Sequence, residues 1–173
     1  MTKFSSRFRT VAPSGLLLAV IFFALSATPA AANTFTIVNN DTLLFGSFVA
    51  GSGGTVVIAA SSGARSATGG VTLINSSYQA ARFTVSCVAD GGADTCTSTS
   101  AYTIDPVSGI SLTSGGNSMT VTGFSVYSVN TASNTGLLSG GTDTLKVGAT
   151  LTVGSNQPHG SYSGSFSVTV VHQ

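Results

Sequence analysis

The chain is 173 residues long and only 6% of it is charged. Past residue 32 it holds three cations, Arg65, Arg82 and Lys146, against Asp41, Asp90, Asp94, Asp105 and Asp143, a formal charge of 3 − 5 = −2. Three scattered cations cannot neutralise a phosphate backbone, which excludes nucleic-acid binding.

The first residues carry Lys3, Arg7 and Arg9, then an apolar run over residues 16–25, then Thr28-Pro-Ala-Ala-Ala32. This layout predicts a secretory signal peptide over residues 1–32, removed after Ala32. Its apolar run is too short to span a bilayer. The remaining 173 − 32 = 141 residues, 33–173, suit one domain with one core. No cysteine stands beside the cleavage site, and the chain ends Val-Val-His-Gln without an apolar tail. The expectation is export by the general secretory route to the periplasm, cell surface or medium, with no membrane span in the mature chain.

Beyond the leader, Thr, Ser, Val and Gly dominate and Glu is absent, which predicts an all-β domain. Glycine pairs follow Ser52, Thr68, Asp90, Ser114 and Ser139 at unequal intervals, the cadence of hairpins rather than of a repeat. Strands are predicted near 34–38, 43–49, 54–60, 70–74, 80–87, 96–104, 118–128, 143–153 and 160–171. Seven to nine short antiparallel strands suit a β-sandwich.

Three of these segments say which face is buried. Leu145, Val147, Ala149, Leu151 and Val153 alternate with Lys146, Gly148, Thr150 and Thr152. Between Met119 and Val129 the apolar parity changes at Gly123, which predicts a β-bulge there. Tyr162, Gly164, Phe166, Val168, Val170 and His172 share one face of the last strand, against serines, Thr169 and Val171. By the same parity Cys87 continues the inward face of Ala81, Phe83 and Val85, and Cys96 leads toward Tyr102 and Ile104. Asp90-Gly-Gly lies between the cysteines, so after export a hairpin would join Cys87 to Cys96 as a disulfide.

Motifs for chemistry are sparse. A Ser/His/Asp hydrolase needs a histidine near a serine on a tight turn, and His159 and His172 have no such setting; Gly160-Ser-Tyr-Ser-Gly164 centres on Tyr162. No catalytic residue, and no cofactor, is expected. Asp90 and Asp94 are too few for Ca²⁺, which wants six to eight oxygens, and suit a turn instead. Two histidines and a bridged cysteine pair do not make a zinc site. Gly51-Ser-Gly-Gly54 runs into a strand rather than a helix, so it is no phosphate cradle. With no Trp, the sugar-stacking candidates are Tyr78, Tyr102, Tyr127 and Tyr162. The segments lack the long even repeats and aromatic girdles of an outer-membrane barrel.

Gly160, fourteenth from the end, with the alternation that follows it, resembles the last strand of chaperone/usher pilins, His172 standing where those carry a tyrosine. That resemblance implies an immunoglobulin-like sandwich lacking one strand, which a periplasmic chaperone and then another subunit fills. It makes Gly160, Tyr162, Phe166, Val168, Val170 and His172 the strand-pairing residues. More of the chain is similar to the bacterial family called domain of unknown function 4402. The similarity runs through Leu44-Phe-Gly46, Gly53-Gly-Thr-Val-Val-Ile58, Gly69-Gly-Val-Thr-Leu73, Phe83-Thr-Val85, Met119-Thr-Val121, Gly141 to Val153, and Gly160 to Val170.

Together these lead to the expectation of a secreted, pilin-like or adhesin-like subunit of a surface fibre. Its partners would be copies of itself or related subunits, a periplasmic chaperone and an outer-membrane usher. The alternative is a free-standing secreted module that recognises a glycan or surface polymer.

Overall fold

A computed structural model describes residues 34–88, 98–105 and 107–173. The expected signal peptide, Asp90, Asp94 and Cys96 lie outside the described residues. Among the described residues twelve strands are formed: β1 Thr34–Asp41, β2 Phe48–Val49, β3 Gly54–Ile58, β4 Arg65–Gly69, β5 Thr72–Leu73 and β6 Ala81–Val88. They continue as β7 Ala101–Ile104, β8 Ile110–Ser114, β9 Asn117–Ser128, β10 Gly136–Leu137, β11 Thr142–Val153 and β12 Val170–His172. Among the described residues there is no helix, and the class is all-β.

The long strand β11 organises the main sheet. One of its edges pairs with β6 over Thr142 to Val147 and then with β3 over Ala149 to Val153, while β9 runs along the other edge. β1 extends the sheet beyond β6, β4 beyond β3 and β8 beyond β9. A three-stranded sheet β10-β7-β12 and the short pair β2-β5 complete the antiparallel architecture, which is that of a curled β-sandwich. The alternation of β11 is realised: Leu145, Val147, Ala149, Leu151 and Val153 are all buried.

These side chains join two apolar clusters along the sheet. Leu145 and Val147 meet Ala81, Phe83, Val85, Tyr102 and Leu138 at one end. Ala149, Leu151 and Val153 meet Phe45, Val56, Ile58, Val71, Met119 and Val121 at the other. Phe124 touches both, and it sits at a bulge. Gly148 faces Ser125 and Thr150 faces Thr122, so β9 holds the extra residue beside Gly123, whose φ of 57° suits glycine. The parity change in the sequence has this physical cause.

The strands β4, β8 and β10 were not among the sequence expectations. β4 is mostly polar because it pairs on one side only and turns just Ala67 toward the core. The expected strand 43–49 shrinks to a bridge at Leu44 and the two residues of β2. The largest departure is at the C-terminus, where the expected strand 160–171 ladders only through the Ser163 bridge to Thr113 and through β12. Between those pairings the partner chain advances nine residues, from Ile104 to Thr113, and the terminal chain seven, from Ser163 to Val170. Two surplus residues prevent a continuous ladder.

Candidate functional site: an open apolar cleft

Where the ladder fails, the sandwich is open. A cleft of about 750 Å³ lies between residues 42–50 and residues 157–166. Its floor is Ile110 and Leu112 of β8, Met119 and Val121 of β9, and Leu151 of β11. The floor residues are inward-facing core side chains, and Ile110 and Leu112 stay only half-buried.

One wall is built by a kink. Leu43 and Phe45 point inward by strand parity, Gly46 takes a φ of 73°, and the inward parity then passes to Phe48 and Ala50. A Cβ at Gly46 would fall on the Arg65 guanidinium, so glycine is required by backbone and space alike. That guanidinium fastens the wall. Its Nη1 donates to the carbonyl of Phe45 (3.1 Å) and its Nη2 to that of Ile74 (2.7 Å), and its carbon lies 4.5 Å from the centre of the Tyr78 ring. Leu44 exchanges two backbone hydrogen bonds with Gln79 on one side. The amides of Leu43 and Phe45 have no hydrogen bond among the described residues.

The opposite wall carries the alternation expected of it. Tyr162, Phe166, Val168 and Val170 are half-buried and Ser161, Ser163, Ser165, Ser167 and Thr169 exposed. Gly160 rims the cleft, and Tyr162 and Phe166 line it. The Tyr162 hydroxyl donates to the carbonyl of Pro158 (2.8 Å) and accepts from Gln157 Nε2 (2.9 Å), which ties the 157–162 turn. Phe166 packs at 5.1 Å from Phe124 and 6.4 Å from Phe83, and Val168 and Val170 join the same cluster. The backbone of His172 pairs opposite Tyr102. From residue 164 to residue 168 the main chain makes no hydrogen bond among the described residues.

Of the six residues expected to pair, three therefore border the cleft, Val168 and Val170 anchor the strand beyond it, and His172 sits in the ladder. Sequence reasoning missed Arg65, the 42–50 wall and the β8 floor. The alternation of Ile110 and Leu112 ahead of Gly115-Gly116 is the signal that marks β8.

A second polar centre lies at the far end of the core. The buried Asp143 carboxylate accepts from the hydroxyls of Tyr102 (2.7 Å) and Ser128 (2.5 Å) and from the Asn130 amide (3.3 Å). Burial first, then the Asp143 hydrogen bond and charge, push the Tyr102 phenol far above its usual value. The arrangement is structural: Asn130 Nδ2 in turn donates to the carbonyls of Leu137 and Thr142, holding the loop into β10 on the sheet. Cys87 packs against the apolar cluster of Phe83, Val85 and Leu145.

Among the described residues no group of three or more His, Cys, Asp or Glu side chains is placed to hold a metal, and no helix is long and apolar enough to cross a membrane. The family model described as a domain of unknown function, DUF4402, matches residues 21–172 of the chain. The chain belongs to that family. No curated protein and no solved structure matches it.

Proposed function

We propose that this protein is a secreted structural subunit, pilin-like or adhesin-like, joined to its neighbours in a surface fibre by strand addition into the apolar cleft. The observation that carries the proposal is the coincidence of two vacancies. Core side chains of three strands form the cleft floor, and the adjoining main chain over 164–168 has no backbone partner among the described residues. An extended segment laid there gains main-chain hydrogen bonds along its edges, and its alternate side chains cover Ile110, Leu112 and Met119. Strand addition uses both features at once.

The occupant we favour is the N-terminal strand of a second copy. Thr34-Phe-Thr-Ile-Val38 alternates as an inserted strand must, and β1 lies at the edge of its sheet, paired only with β6. The test is light scattering on a size-exclusion column for the processed full chain and for a variant lacking residues 33–38. Multimers that resist heat or denaturant in the full chain, and their loss in the deletion, are the expected result. A stable monomer that binds no Thr34–Asp41 peptide overturns the proposal.

A further inference from the structure

Past residue 33 this chain has three cations, and the fold brings two of them, Arg82 and Lys146, together on the outer sheet face. Arg82 of β6 stands directly opposite Lys146 of β11, and both border a recess of about 320 Å³ with Asp41, Ser62, Tyr78 and Gln79. Arg65 stacks on the Tyr78 ring from the neighbouring wall. Like charges directly opposite in a sheet are destabilising, and here one carboxylate, Asp41, offsets only one of the two: it bonds Arg82 Nε at 2.7 Å. Lys146 Nζ donates to the carbonyl of Ser61 at 3.2 Å, and no carboxylate reaches it among the described residues. The patch is thus positive on a domain whose formal charge is negative.

Beside the cations stand aromatic rings. Tyr78 is 45% exposed, and Tyr127 of β9 is the cross-strand neighbour of Lys146. A recess of this size lies at the small end of ligand sites, room for one ring rather than a polymer. We infer that this recess binds an acidic saccharide, a pyranose unit bearing a carboxylate, with the carboxylate between Arg82 and Lys146 and the ring against Tyr78. The ligand charge offsets the Arg82 and Lys146 opposition, and the tyrosine supplies an apolar face with a polar tip. The site shares no lining residue with the apolar cleft and does not depend on strand addition.

The experiment is an amide NMR titration of the processed full chain with trigalacturonate, with neutral galactotriose and inorganic sulfate as comparison probes. Trigalacturonate is expected to give saturable shifts centred on Tyr78, Arg82 and Lys146. Lys146→Gln and Arg82→Gln should each weaken it by about tenfold, the scale of one charge-assisted contact. Lys146→Gln should not lower the thermal midpoint, since it removes a like-charge opposition. Tyr78→Leu leaves both of those charges in place and removes the ring, so it too should weaken binding; Arg65→Met, which removes the stacking on Tyr78 but keeps the ring, should not. Shifts absent from this face, equal affinity for galactotriose or for sulfate, or unchanged affinity in Tyr78→Leu would each overturn the inference.

Discussion

Replacing Arg65 by Met should loosen one wall of the cleft without unfolding the domain. The guanidinium makes two hydrogen bonds shorter than 3.2 Å, to the carbonyls of Phe45 and Ile74, and a cation–π contact with Tyr78. Hydrogen bonds to a charged donor contribute about 1.5–3 kcal/mol when buried, and these are only partly so; about 1 kcal/mol each is the better figure. With about 0.5–1 kcal/mol from the ring, the loss comes to about 2.5–3 kcal/mol. At about 1.4 kcal/mol per factor of ten, opening of the wall becomes roughly 60- to 140-fold more frequent. Hydrogen exchange reads this directly at the amides of Leu44, Ser47 and Ile74, all of them bonded in or against the wall. Amides of β11 serve as the control. Arg65→Lys should restore little, because an ammonium cannot bridge two carbonyls with the geometry of a planar fork. Unchanged protection at Ser47 and Ile74, or an equal loss in β11, would refute the assignment of Arg65 as the fastener of this wall.

Two further predictions concern the other end of the core. Asp143→Ala leaves the buried Tyr102 and Ser128 hydroxyls without their acceptor and should cost about 2–6 kcal/mol in urea unfolding, at about 1–3 kcal/mol per orphaned group. The Tyr102 phenol, raised in the fold above its unfolded value of about 10, stabilises the domain fully below that pH. Stability should fall as pH climbs past 10, where the unfolded chain loses the proton first, and the slope should shrink in Tyr102→Phe. Intact mass after alkylation without reductant should show no modified cysteine if Cys87 and Cys96 are joined; two alkyl groups would reject the bond.

What could be read from the residues alone was whatever repeats with period two or forbids an alternative. The buried face of β11, the inward face of Cys87, the bulge at Gly123 and the half-buried side of residues 162–170 each follow from strand parity, a local property of the backbone. The same local reasoning could not find the cleft. Its existence turns on a count between distant segments, nine residues against seven, and on Gly46 and Arg65 meeting across nineteen positions of chain. Parity says which way a side chain points; only the register of remote strands decides whether anything lies opposite it. For the same reason two cations that look scattered along the chain share one face, because Arg82 and Lys146 become neighbours only when β6 and β11 pair.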